Sequence, residues 1–387
     1  MNILLYRWGA YTELDIESEL KALGISVSTF IYNLEDKHED DKLSSILSMK
    51  LRQEKIEALF SVNFFPVIAK ICHACNVKYI SWSYDCPLNV TNIEKTLGLS
   101  TNYVFMFDRA QANKYIDMGF DNVRHMQLAA PTRRYDRISL SANDMKELSC
   151  DISFVGNLYT DILRTYTGPL TDYQKGFING LCASQSQVYG CYMLDELIDE
   201  SLIDGINIRY KEVNPDTDIV MSKEALSYGM AANITRDERL TILGLLASHY
   251  DLHYYSKESS DILKKATYKG TCDYYDRMPA VFKASKINLN ITLKILTSGI
   301  PLRALDIMGA GGFLLSNYQV ELAETFTDGE DIAFYSSIEE AYEKASYYLA
   351  HDSVRLEIAR RGYTKVKEQF SYIDKLTMML KEAGIRG

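Results

Sequence analysis

Residues 298–313 read SGIPLRALDIMGAGGF and carry more potential chemistry than any other stretch of the chain. Pro301 suits the first position of a helix, because the N–H it lacks is one a helix leaves unused there. The N–H groups of Ser298, Gly299 and Ile300 would then face outward at a helix N-terminus. Backbone donors and the helix dipole favour an anion at that place, and Gly299 would let a phosphate approach closely. Arg303 and Asp306 are three apart and share a helix face. A guanidinium adds charge-assisted bonds to a phosphate, and an ionised carboxylate, which only accepts, suits a pair of ribose hydroxyls. The same two residues would also serve as an ion pair on an ordinary helix. Leu302, Leu305, Ile307 and Met308 surround them with apolar side chains, however. The helix is therefore expected to be buried, and buried charges are paired or bind something. The glycines of GAGG follow a helix and precede a strand, the reverse of a phosphate loop, and read as a helix cap and tight turn.

A second group stands near residue 85. Trp82 ends an apolar strand, so Ser83, Tyr84 and Asp85 fall in the loop at its carboxyl end. Asp85 there is either a general base on an acceptor hydroxyl or the cap of an Asp-Cys-Pro turn. Asn288, Asn290 and Thr292 alternate along one strand and share a face, where they either line a cleft or satisfy sheet-edge groups. Cys72-His73-Ala74-Cys75 has the look of a metal or redox motif, but no second pair stands at ligand spacing. Val67, Ile68 and Ile71 place it on the apolar side of a helix, so the thiols read as core. Asp216 and Asp218 lie in a polar loop and not at a strand end. No metal site is expected.

These residues need a scaffold, and the first 130 or so positions supply a regular one. Apolar strands at Ile3–Tyr6, Ser26–Tyr32, Ala58–Val62, Lys78–Trp82 and Tyr103–Phe107 alternate with helices at Tyr11–Leu23, Asp41–Lys55 and Pro66–Cys75 and one ending at Met118. That beat means βαβ units and a parallel sheet. Arg7-Trp8-Gly9-Ala10 stands where Gly-x-Gly-x-x-Gly would follow the first strand, which disfavours dinucleotide binding at that turn. A second α/β series opens with Ile152–Val155. It is interrupted by a polar, helical insertion over about 161–229. It resumes with the helix Arg236–Ser248, the strand Leu252–Tyr255, the helix Tyr274–Ala284, the strand Ile287–Ile291, the helix Pro301–Met308, the strand Gly312–Ser316 and the helix Ile338–Ala350. Two amphipathic helices, about Ser353–Glu368 and Tyr372–Glu382, close the chain. The expected fold class is thus α/β, with two doubly wound domains facing a cleft lined by strand carboxyl ends. The spans are 1–150, 151–370 and a final helix over 371–387 that packs back on the first domain.

At about 150 residues per domain, 387 residues also predict two domains. Lys+Arg is 42 against 52 Asp+Glu, a formal charge of −10, so nucleic acid and anionic lipid are poor partners. Seven scattered cysteines, an odd number, suit a reduced, cytoplasmic chain. MNILLYRW runs straight into a strand with no export signal. Arg303 and Asp306 interrupt the most apolar later segment, so no transmembrane helix is expected.

The order of a small-residue turn, an acidic residue on a helix ending Met-Gly-Ala-Gly-Gly, and then an apolar strand resembles the donor-binding segment of group 1 glycosyltransferases of the GT-B fold. The CgeB-like branch is the nearest match. The likeness is strongest over Tyr268–Tyr372. It takes in Tyr275-Asp276-Arg277-Met278-Pro279-Ala280-Val281-Phe282, residues 285–292 and the final Gly362-Tyr363 and Phe370-Ser371-Tyr372. Phe154-Val155-Gly156-Asn157 fits the opening of the donor domain, and Trp82–Pro87 carries the weaker N-terminal match. The resemblance implies that Asp306 grips the donor ribose and that Arg303 faces the diphosphate. It places Gly156 and Asn157 on a loop near the phosphates, with Tyr255 and Ser256 bordering the nucleotide. Many relatives carry a Glu eight positions before the ribose carboxylate. Ser298 stands there in this chain, so retention of configuration does not carry over. The expected partners are a nucleotide-sugar donor, with UDP as one candidate, and an acceptor of unknown class. No cofactor or divalent metal is implied. A GT-B epimerase or hydrolase, and a non-catalytic sugar-nucleotide-binding subunit, are the rival readings.

Overall fold

Asn2–Arg7, reading NILLYR, is apolar over its middle four residues, and all four are buried. A strand covered on both faces cannot alternate polar and apolar residues, and this is the mark of a parallel sheet between helices. The computed structural model describes residues 2–88 and 90–385, and these fall into two units.

The first unit runs through Arg134 and takes in Gly299–Asp306 and the chain from Lys365 onward. Its six strands are β1 (Asn2–Arg7), β2 (Ser26–Ile31), β3 (Ala58–Val62), β4 (Lys78–Ser83), β5 (Asn102–Met106) and β6 (Val123–His125). They lie in the order β2-β1-β3-β4-β5-β6, and every pair is parallel. The helix Asp41–Gln53 starts on Asp40, whose side chain accepts the N–H of Leu43, and turns Leu43, Leu47 and Leu51 into the core. Pro66 opens the helix Pro66–Cys75, which ends on Asn76 in the left-handed region. The helix Tyr372–Glu382 packs against Glu13–Ala22. Beside it, Lys78 Nζ donates to the carbonyl of Ala383 at 2.6 Å.

The second unit holds Tyr135–Ser298 and Ile307–Thr364. Its strands are β7 (Cys150–Val155), β8 (Leu252–Tyr255), β9 (Thr267–Tyr268), β10 (Ser285–Asn290), β11 (Leu314–Asn317) and β12 (Ala333–Tyr335). They lie in the order β12-β11-β10-β7-β8-β9, again all parallel. The insertion has its own core, in which Ile178, Ile206, Tyr210, Leu226 and Met230 meet.

Several expected boundaries move. The helix expected over Arg236–Ser248 is the second half of a 25-residue helix, Lys223–Ala247, which starts on Ser222 within the insertion. Gly229 does not break it, because the helix needs that space: a Cβ there would meet the Tyr166 ring at 2.8 Å. Pro301 stands just before the helix Leu302–Gly309 and not within it. The GAGG run is the expected cap. Gly311 has a φ of +84°, and Gly312 N–H returns to the carbonyl of Ile307. The strands β6, β9 and β12 went unanticipated. All three are edge strands, β6 and β12 of three residues and β9 of two, too short to show a period.

Candidate active site

In the first unit the polar residues gather where β3 and β4 end. Asn63 follows β3 in the left-handed region, with φ of +64°, which Asn tolerates better than most residues. Its N–H pairs with the carbonyl of Trp82 at 2.8 Å. Its side-chain Oδ1 accepts the N–H of Tyr84 at 2.8 Å and that of Asp85 at 3.3 Å. Its Nδ2 donates to Asp85 Oδ2 at 2.8 Å. Asp85 is an exposed residue. Its carboxyl is nonetheless crowded by protein, and the loss of water raises its pKa, against the Asn63 amide and the charge of Lys37.

Tyr84 points elsewhere. Its hydroxyl lies 3.1 Å from that of Tyr372, and its ring meets Trp82 edge-on with centroids 5.2 Å apart. Burial pushes the hydroxyl well above its ordinary pKa, and the carboxylates of Asp15 and Asp306 push the same way. Tyr84 and Asp306 therefore share one electrostatic neighbourhood. Asp306 is buried with 1% of its side chain exposed, and Arg303 Nη1 lies 3.6 Å from its Oδ2 with 30% exposed. Asp15 is itself tied to Arg134 by two bonds, at 2.7 and 2.9 Å.

The turn Ser298–Ile300 departs from expectation. All three residues are buried, and the N–H of Gly299 is donated to Asp108 Oδ2 at 2.8 Å. The carboxylate of Asp108 thus stands on a donor expected to be open to a phosphate, while its Oδ1 caps the helix Arg109–Asp117 through Gln111 N–H at 2.8 Å. A Cβ at Gly299 would meet the Phe107 ring at 2.8 Å, so the close approach that this glycine serves is an aromatic ring. The turn after β1 is closed in the same manner, since Glu13 accepts the N–H groups of Trp8 at 2.8 Å and Gly9 at 3.3 Å.

In the second unit the strand ends are organised by Arg239, a residue the sequence did not single out. Its guanidinium is buried and donates to the carbonyl of Ile291, just past β10, through Nε at 3.1 Å and also through Nη2. Nη1 donates to the carbonyl of Asn157, just past β7. The guanidinium lies over the rings of Tyr159 and Phe154, at 4.8 and 5.2 Å from their centroids. Gly156 makes room for this arrangement: a Cβ there would meet Phe154 at 2.9 Å. Two residues on, the N–H of Leu158 is taken by Glu258 at 2.9 Å. Tyr255 and Ser256 are buried at the end of β8, and burial pushes the Tyr255 hydroxyl above its usual pKa.

Deeper lies Lys294, whose Nζ stands 3.2 Å from Glu238 Oε2 with both side chains about 5% exposed. It also lies 3.5 Å from the centroid of the Tyr189 ring. Tyr189 and Tyr335 both donate to Glu238 Oε1 at 3.2 Å. Burial lowers the Lys294 pKa, with Glu238 opposing. A lone Lys in the apolar run ITLKIL was the available signal for this pair.

Asn288 stands on β10, a central strand and not an edge, and its partners are internal. Asn288 has no exposed surface, accepts from Ser153 Oγ at 2.7 Å, and donates to the carbonyls of Phe282 at 3.1 Å and Phe313 at 3.3 Å. Its placement on a cleft is corrected accordingly. Asn290 bonds Thr292 and Ser316, both at 2.9 Å, and the N–H of Thr292 goes to Asn317. Cys72 is buried in the first unit's core, and burial raises its thiol pKa. Among the described residues no group of three or more His, Cys, Asp or Glu is arranged to hold a metal ion. No described helix is long and apolar enough to cross a membrane.

Residues 228–381 match the model of a glycosyl transferase-like family. No curated protein matches. Among solved structures, a glycosyltransferase from Rickettsia africae superposes with a TM-score of 0.57 at 10% identity, covering 100% of this chain and 99% of that one. Sucrose-phosphate synthase from Thermosynechococcus elongatus gives 0.55 at 12%, with 99% and 98% covered. The Anabaena protein HepE, in complex with UDP and glucose, gives 0.52 at 10%, with 99% of each chain covered. Two six-stranded parallel sheets with helices, matched over whole chains in this way, are the GT-B fold.

Proposed function

We propose that this protein transfers a sugar from a nucleotide-diphosphate donor to an acceptor hydroxyl. One observation carries the reading: the matched glycosyl transferase-like segment contains the buried helix on which Arg303 and Asp306 lie 3.6 Å apart. Asp306 holds the donor ribose through its acceptor oxygens, and Arg303 balances the charge that grows on the diphosphate as it leaves. With Gly299 N–H engaged by Asp108, Arg303 bears more of that task than the turn's amides. Asp85 takes the proton of the attacking hydroxyl. HepE and the Staphylococcus aureus protein MnaA have been solved with UDP, which supports uracil as the donor base. The CgeB-like branch, a cytoplasmic location and a metal-independent transfer without a cofactor complete the reading.

A melting-temperature screen against nucleotide sugars, followed by release assays, tests it. A UDP-sugar should raise the melting temperature, because a ligand that binds only the folded state stabilises it. Release of UDP should then require an acceptor. Equal release of UDP and free sugar without acceptor would make the protein a hydrolase. Donor binding with no turnover across a broad acceptor panel would make it a binding subunit.

A further inference from the structure

Asn63 uses every polar group it has. Its N–H bonds Trp82 and its carbonyl accepts from Ser61 Oγ at 2.6 Å. Oδ1 takes the N–H groups of both residues 84 and 85, and Nδ2 reaches Asp85 Oδ2. The amide orientation is fixed by this pattern, since two N–H donors require the oxygen and a carboxylate requires the nitrogen. Among the described residues Asp85 Oδ1 accepts no hydrogen bond, and Asp85 is exposed. One oxygen is therefore tied and the other presented. A loop carboxylate without such a tie would sample several rotamers, and a base displaced by about 1 Å loses much of its effect.

We infer that Asn63 is the positioning residue of Asp85, fixing the loop through Oδ1 and the carboxylate through Nδ2. This inference rests on the reading of Asp85 as the base. The charged group facing Asp85 is Lys37, from the segment before the helix Asp41–Gln53. The Tyr84 hydroxyl is turned to Tyr372.

Asn63→Asp is the sharpest test. Asp tolerates the left-handed backbone and keeps an oxygen for the two N–H groups, but it replaces the donor at 2.8 Å with a second carboxylate. Two carboxylates at that distance share a proton and titrate in two separated steps. In protein labelled with ¹³C at aspartate carboxyls, the Asp85 resonance is identified by its loss in Asp85→Asn. In Asn63→Asp its upper step should rise by about one pH unit or more. The acid limb of kcat/KM should move to higher pH with it. Asn63→Gly, which suits the backbone and deletes the amide, should shift both in the same direction by less. If resonance and acid limb both stay in place in both variants, Asn63 is only a turn residue and the inference falls. If the resonance moves while the acid limb does not, and Asp85→Asn stays active, the base assignment fails and takes with it any part for Asn63 in the reaction.

Discussion

Where β3 and β4 end, the side chains are a neutral amide and an acid; where β7 and β10 end, they are cations. In the first unit Asn63 bonds the loop backbone and leaves one oxygen of Asp85 at the surface. In the second, Arg239 donates to two backbone carbonyls, and Lys294 stands beside Glu238 and the face of Tyr189. The sheets share parallel pairing and six strands each, and the strand ends are finished differently. A neutral amide can organise a loop without cancelling the charge next to it. A buried guanidinium that satisfies backbone acceptors ties the strand ends together. Proximity to a strand end therefore does not make a residue a ligand contact, and bonding partners decide between the two.

The largest expected effect falls on the exposed acid. Asp85→Asn should cut turnover by roughly 10²–10⁴-fold, as loss of a general base does, with donor affinity little changed. Because crowding raises the Asp85 pKa, the acid limb should lie above the ordinary carboxylate value of about 3.9. Steady-state transfer across pH, with parallel donor titrations, checks both. Near-normal turnover would leave Asp85 as a turn residue and erase the contrast between the two strand ends.

Next comes the clamp. Arg239→Met keeps the apolar stem but strips the donors from Ile291 and Asn157. Stability should fall by about 2–4 kcal/mol, since hydrogen bonds to a charged group contribute about 1.5–3 kcal/mol each and the orphaned Ile291 carbonyl stays buried. Urea unfolding measures it. A loss below about 1 kcal/mol would mean that the loops hold without Arg239.

Asp306→Ala should weaken nucleotide binding by roughly 1–3 kcal/mol, the cost of removing one side of a buried hydrogen-bonded pair. Calorimetric titration with UDP decides it, and unchanged affinity in a folded variant would remove Asp306 from the donor site.

Much of the scaffold was legible. Ala58–Val62, Pro66–Cys75, Leu252–Tyr255 and Ile338–Ala350 stand as read, because a long apolar run or a capped helical period is a local signal. The strand-end chemistry was legible only as far as it is local. Arg303 and Asp306 lie on one turn of one helix, and their pairing could be read from spacing. Arg239 acts on carbonyls 52 and 82 residues away, and a carbonyl has no residue type to read. Asn63 depends on a positive φ that Asn permits without announcing it. Gly299 was read for the right property, the absence of a side chain, but the sequence holds no sign that a ring fills the space and a carboxylate takes the N–H.

The smallest expected effect bears on the buried pair and sharpens the comparison from the other side. If Lys294 and Glu238 serve only each other, their joint removal should matter little, because the desolvation of two buried charges offsets most of their attraction. Glu238→Gln with Lys294→Met keeps the volume and leaves an amide oxygen for the hydroxyls of Tyr189 and Tyr335. At pH 7 the double variant should unfold within about 1 kcal/mol of the parent. Lys294→Met alone, which leaves Glu238 buried without its cation, should cost about 3–5 kcal/mol. The alkaline range gives a second reading. Burial depresses the folded pKa of Lys294, so between that value and the unfolded one, near 10.4, the unfolded chain binds more protons and stability rises with pH. The parent should show that rise, fully present above about 10.4 and lost as pH falls through the folded value, and the double variant should lack it. If the double variant instead lost donor affinity at unchanged stability, Lys294 would be in contact with ligand, and the two strand ends would be more alike than their bonding partners indicate.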